Sequence, residues 1–219
     1  MTDSLGSRAK FAVLAPSTNT SVQPEFDAMR PWGVTNHHSR LVIPDLRVTD
    51  DRSFMVMMDS IRGALFPALE AALTCDPDYV VLGMSSETFW DGVRGSSALH
   101  RRLVKTAKRG VAMGSDACRA ALRAYGRGVR RLGVVTPYMP VGDRQVRRFF
   151  AECGYEVVNL VGLKCRSPTL IAHESKARLR DAILREPRQG RRGGAARHQP
   201  RDYGIKDRIH GWGSLLAEH

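Results

Sequence analysis

Apolar and polar positions alternate along this chain in blocks. Lys10 to Ala15 is a short apolar run, followed by the polar turn Pro16-Ser17-Thr18-Asn19-Thr20 and a helical stretch from Val22 to Met29. Gly33 to Val42 reads as a second strand. From Ser53 to Ala72 apolar residues recur at helical spacing (Phe54, Met57, Met58, Ile61, Leu65, Leu69), which predicts an amphipathic helix with its methionines in the core. Tyr79 to Leu82 is short, apolar and bounded by turn residues, as buried strands of parallel sheets are. The spacing then predicts a helix over 97–108, a strand over 110–114, a helix capped by Ser115-Asp116 and running to about Tyr125, and a strand over 131–135. A helix over 141–153, a strand over 155–161 and a helix over 175–184 follow. This βαβα order predicts an α/β fold with a parallel, doubly wound sheet.

The stretch from Tyr79 to Gly92 organises the rest. Its strand breaks at once into Gly83, Ser85, Ser86, Glu87 and Thr88 and closes at Asp91-Gly92. In open α/β sheets ligands sit just past the carboxyl ends of the strands. Hydroxyls and free backbone N–H groups there can receive a carboxylate or an enolate oxygen. The same residues read equally well as a helix cap. Ser17 and Asn19, after the first strand, pose the same choice, and local pattern alone favours the cap. Strand, polar turn and helix recur at Pro16 and at Thr136, which predicts two similar halves facing each other across a cleft.

Composition narrows the class. The 219 residues are 42% hydrophobic with no long apolar run, and Met1 to Lys10 is polar. A soluble, cytoplasmic protein without a membrane span or secretory signal is expected. Cys75, Cys118, Cys153 and Cys165 have no metal-type spacing and read as free thiols. His37 and His38 read as strand-edge or surface residues, with no third ligand spaced to join them. No GxGxxG, Walker A or HExxH pattern is present, so neither cofactor nor metal is expected. The formal charge is +12, but Lys176 to Arg208 alone holds eleven Lys or Arg against four Asp or Glu, a surplus of seven. Charge confined to one odd segment says little about the whole fold, and that segment lacks aromatics for base stacking. Nucleic acid is therefore disfavoured as its partner.

Four places carry a resemblance to a known family: Val13-Leu14-Ala15-Pro16-Ser17-Thr18-Asn19-Thr20, the Gly83 to Gly92 stretch, Leu132-Gly133-Val134-Val135-Thr136-Pro137-Tyr138-Met139, and the tail His210 to Leu216. In order and spacing the chain resembles the aspartate/glutamate racemase superfamily, within it the maleate cis-trans isomerase and arylmalonate decarboxylase branch. The resemblance implies two pseudo-symmetric, flavodoxin-like α/β halves with the active site between them. It implies cofactor-independent isomerase or decarboxylase chemistry on a small dicarboxylic acid, through a thiol adduct or an enediolate, with oligomeric state, homo-oligomers included, left open. Racemases and isomerases of the family use one cysteine from each half. Here the first falls at Met84 or Ser85, and the pair Ser85 and Ser86 matches the hydroxyls of the decarboxylases. These two are the catalytic candidates; Asn19, Ser17, Tyr138 and Thr136 are the substrate-binding candidates.

The expected division is a first half over 1–114 joined by the tail 204–219, a truncated second half over 115–184, and an irregular segment over 185–203. That last segment (beginning REPRQGRRGG) stands where the second half should supply a strand and its cysteine. A shifted reading frame or a deletion is the simplest account, and a genuine basic loop the alternative. The competing functional readings are a chain inactive as written and a nonspecific anion- or nucleic-acid-binding protein carrying an Arg-rich loop.

Overall fold

The computed structural model describes residues 3–126, 128–184 and 215–218. The first half runs β1 (Ala9–Pro16), α1 (Val22–Met29), β2 (Val34–Leu41), α2 (Asp51–Leu73) and β3 (Tyr79–Leu82). A 3-10 turn (Ser86–Phe89), α3 (Gly92–Ala107), β4 (Gly110–Ala112) and α4 (Gly114–Ala124) follow. The second half runs β5 (Arg131–Thr136), α5 (Pro140–Glu152), β6 (Glu156–Gly162), α6 (Pro168–Ala172) and α7 (Lys176–Leu184); the last strand is β7 (Leu215–Glu218). The first sheet has the order β2-β1-β3-β4, all parallel. The second has the order β6-β5-β7, with β5 and β6 parallel and β7 antiparallel to β5. The expected α/β architecture is present.

Burial explains the apolar runs. Ala12, Val13, Leu14 and Ala15 of β1 are all fully buried, so both faces of the central strand are covered and no polar alternation survives. Helix α2 opens on a reciprocal cap, in which the Ser53 amide donates to Asp50 Oδ1 at 2.7 Å. It then lays Phe54, Met58, Ile61, Leu65 and Leu69 into the core.

Several elements differ from the pattern-based expectation. Helix α3 starts at Gly92 rather than Ser97. Asp91 and Gly92 both take left-handed backbone angles (φ 55° and 64°), which swing the chain straight into the helix. Glu152 of α5 then accepts from the Val93 amide at 2.7 Å, a cap supplied from across the molecule and invisible in the local sequence. Helix α6 has no counterpart in the pattern-based reading; Ser167 and Pro168 open it, with the Ser167 hydroxyl accepting from Leu170 N. The tail is expected to join the first half, yet Leu215–Glu218 pairs with β5 in the second sheet. The Arg/Gly-rich segment 185–203 and residues 204–214 lie outside the described residues.

The two halves meet at an aromatic junction. Phe89, from the turn after β3, stacks edge to face on Phe149 of α5 at 5.1 Å between centroids, and Phe150 lies 5.8 Å from Phe89; all three are fully buried. Asp51, at the start of α2, accepts from the amide of Val141 and the guanidinium of Arg144 at the start of α5. Phe149→Ala is expected to destabilise the chain by about 3–5 kcal/mol, read as a lower midpoint of denaturant unfolding.

On the outer side, β2 is an edge strand, as the reading of His37 and His38 assumed. His38, however, is no surface residue: its side chain is 7% exposed, neither ring nitrogen has a hydrogen bond among the described residues, and Asp27 of α1 is 3.9 Å away. Burial holds its imidazole below the ordinary 6.5, against the opposing pull of Asp27. The folded state therefore takes up this proton less readily than the unfolded chain. The contribution of the neutral ring is complete above pH 6.5 and is lost as the pH falls below it toward the folded-state value. His38→Leu is expected to flatten the dependence of unfolding free energy on pH between about 7 and 5, measured by denaturant titration at several pH values.

Candidate active site

The carboxyl ends of β1, β3 and β5 converge on one narrow pocket of about 60 Å³. Its polar lining is Thr18, Asn19, Ser85, Ser86 and Tyr138. Its apolar lining includes Ile43, Met57, Ile61, Met84 and Ile171, with Pro16, Pro137 and Pro168 at the edges. Among the described residues no charged side chain and no cysteine lines it. Such a volume holds only a few waters, so it fits one carboxylate or the reacting end of a small acid.

Each polar group is aimed by its own element. Asn19 is buried, and its Oδ1 accepts from the amides of Ser21 and Val22 at 2.9 Å each. Those bonds cap α1 and fix the amide's orientation, which leaves Nδ2 as a donor without a partner among the described residues. Arg40 holds the same turn by donating to the Asn19 carbonyl at 2.9 Å and to Gln23 at 2.8 Å. Cap and site thus coincide at Asn19. They part at Ser85. Its hydroxyl caps nothing; the turn is closed by Thr88, whose Oγ1 donates to the Ser85 carbonyl at 2.7 Å.

The Ser85 hydroxyl instead lies 2.5 Å from the Tyr138 hydroxyl, joining the two halves inside the pocket. Burial raises the Tyr138 pKa, so the phenol stays protonated. Two hydroxyls sharing one hydrogen bond keep one O–H free for a ligand. The amides of Ser85 and Ser86 have no hydrogen-bond partner among the described residues and add two further donors.

Two groups fix this geometry from behind. The Arg62 Nε donates to both carboxylate oxygens of Glu87 at 3.0 Å, and its guanidinium lies 5.1 Å from the Trp90 ring centroid, pinning the Ser85–Ser86 turn to α2. Phe54 packs edge-on against Tyr138 at 5.7 Å. Gly142 lets α5 close over that ring, since a Cβ there would come within 2.8 Å of Tyr138 Cβ.

Four of the six residues singled out from the sequence line the pocket: Ser85, Ser86, Asn19 and Tyr138. The other two lie outside its lining. Ser17 Oγ donates to the Ile43 carbonyl at 3.2 Å and accepts from the Ile43 amide at 3.1 Å, a clip between strand ends. Thr136 donates to Asp143, whose carboxyl burial pushes up to about 6, and accepts from the Tyr138 amide at 3.3 Å. Both support the turns that carry the site. Thr18 joins the site without having been singled out. Its Oγ1 is buried in the pocket lining with no partner among the described residues, an arrangement that costs stability unless a ligand satisfies it. The local sequence carries no sign of which hydroxyl in Ser17-Thr18 turns inward.

The cysteines stand apart from the pocket lining. Burial raises Cys118 to about 11 and Cys165 to about 12, and the Cys165 thiol donates to Glu174 at 3.3 Å. Thiols so perturbed are poor nucleophiles at neutral pH. Replacing the orphan hydroxyl with a methyl, Thr18→Val, is expected to stabilise the unliganded protein by about 1 kcal/mol while weakening carboxylate binding. Thermal unfolding with and without a small carboxylic acid reads both effects.

No family model matches this chain, and no curated protein matches its sequence. Its structure does have counterparts. A maleate cis-trans isomerase of Nocardia farcinica, in a cysteine-to-serine variant with a covalently bound succinylcysteine intermediate, superposes with a TM-score of 0.67 at 14% identity, over 79% of this chain and 71% of that one. The maleate isomerase of Pseudomonas putida S16 gives 0.66 at 18% identity, over 80% and 71%. A liganded double variant of arylmalonate decarboxylase gives 0.61 at 18% identity, over 80% and 70%. The chain therefore has the fold shared by the maleate isomerases and arylmalonate decarboxylases of the Asp/Glu racemase superfamily.

Proposed function

We propose that the pocket binds one carboxylate of a small, α-substituted dicarboxylic acid and stabilises the enediolate left when the other departs as CO₂. The observation that carries this reading is the Ser85–Tyr138 hydroxyl pair, buried beside two free amides where a nucleophilic thiol would otherwise stand. Asn19 Nδ2, Thr18 Oγ1 and the Ser85 and Ser86 amides are all neutral donors. They match a carboxylate and match better an oxyanion that gains charge, so they contribute most as the reaction proceeds.

The rest of the pocket supports loss of CO₂ over isomerisation. A second carboxylate would face Met57, Ile61, Met84 or Ile171, with no donor among these side chains. An ionised group there is poorly solvated, and its departure as neutral CO₂ relieves that cost. The electron pair of the broken C–C bond passes into the retained carboxylate, and a proton from water then adds at carbon. Isomerisation of maleate, by contrast, keeps both charges and needs a nucleophile to add to the alkene. Among the described residues Ser85 has no base to activate it, because its partner is a phenol held neutral by burial.

Assays with aryl- and alkylmalonates and with maleate test the reading. CO₂ release from a malonate is expected, with Tyr138→Phe and Ser85→Ala each lowering turnover about 10²–10³-fold while the fold persists by circular dichroism. Turnover of maleate alone would replace this reading with the isomerase one. A folded chain inert toward every substrate would remove it.

A further inference from the structure

We propose that the exposed face of α3 is a docking surface for a nucleic-acid duplex, engaged through its phosphate backbone. Arg94, Arg101 and Lys105 fall within about 40° of one another around the helix axis, and Lys108 continues the row at the C-cap, over roughly 20 Å. All four are exposed, and none has an ion-pair partner among the described residues. The segment from Gly92 to Lys108 contains no Asp or Glu. Of the acids near its two ends, Glu152 accepts from Arg148 and the Val93 amide, Asp76 pairs with Arg109, and Asp91, directly before the helix, is exposed and makes no side-chain cap hydrogen bond.

Such a row works against the helix that carries it. Arg101 and Lys105 are like charges at i,i+4, and Lys105 and Lys108 at i,i+3, spacings that repel. The helix dipole favours Lys105 and Lys108 at the C-terminal end, but no acid on α3 offsets the repulsion along the row, whereas an external polyanion would. A lipid surface fits less well. A helix lying on a bilayer needs an apolar face to insert, and here Leu99, Leu103 and Ala107 are buried in the protein. Single strands fit less well too, since α3 carries no Phe, Tyr or Trp on which bases would stack. A straight, rigid row of fixed cations suits the regular phosphates of a duplex, without reading sequence. None of the four cations lines the pocket.

Fluorescence anisotropy of a labelled mixed-sequence DNA duplex of about 20 bp, titrated with the full chain from about 50 to 200 mM salt, tests the proposal. The R94Q/R101Q/K105Q/K108Q variant is expected to lose at least about tenfold in affinity, and its slope of log affinity against log salt should shrink by about 3.6, as four lost phosphate contacts require. R101Q/K105Q alone should lose about half that slope, which guards against a folding defect in the quadruple variant. Neutralising Arg188, Arg191, Arg192 and Arg197 to Gln in the intact chain should leave the loss caused by the α3 substitutions unchanged. Failure of the intact chain to bind duplex at about 50 mM salt would overturn the proposal, as would α3 variants that bind as well as the intact chain. Binding to phosphatidylserine vesicles that the α3 substitutions abolish while duplex binding stays intact would also overturn it.

Discussion

Phe89 leaves the turn after β3 and closes edge to face on Phe149 of α5, with Phe150 completing the cluster. This contact crosses between the halves, and the pocket depends on it. Ser85 stands four residues before Phe89; Tyr138 stands two residues before α5 begins. Their hydroxyls meet at 2.5 Å only if the two sheets hold a fixed separation. Hydroxyl hydrogen bonds are too weak in net free energy to set that separation, contributing about 1 kcal/mol each. Three buried rings, each worth several times as much, are not. The apolar junction sets the geometry and the polar pair reports it. Arg62 and Phe54 then remove the local freedom that remains on either side.

Most of the fold was legible because its central strands are buried. Ala12 to Ala15 and Val80 to Leu82 read as unbroken apolar runs, and the helices between them show a clear helical period. What escaped was set by partners distant in sequence. Helix α3 begins early because Glu152, far along the chain, caps it. His38 reads as an edge residue from its strand, yet α1 folds over it. The site was legible as far as chain turns go, since loops after parallel strands converge whatever their detail. Which hydroxyl turns inward was not. Ser17 and Thr18 are adjacent and chemically alike; one clips Ile43, and the other is left bare in the pocket.

The pocket's neutrality bears most directly on its chemistry. No Lys, Arg or His lines it among the described residues, although the chain as a whole is strongly cationic. A cation would bind a carboxylate tightly in the ground state, and uniform binding of that kind does not speed the chemical step. Hydroxyls and amides held in an apolar surround bind the resting carboxylate less strongly, but they are already oriented toward an oxyanion as its charge grows. Among the described residues part of the cationic excess lies along α3, where it raises the concentration of anions near the surface without entering the pocket. On the proposed reading, neutral donors in the pocket would favour the enediolate because the charge of the departing carboxylate gathers on the retained one, where those donors already point.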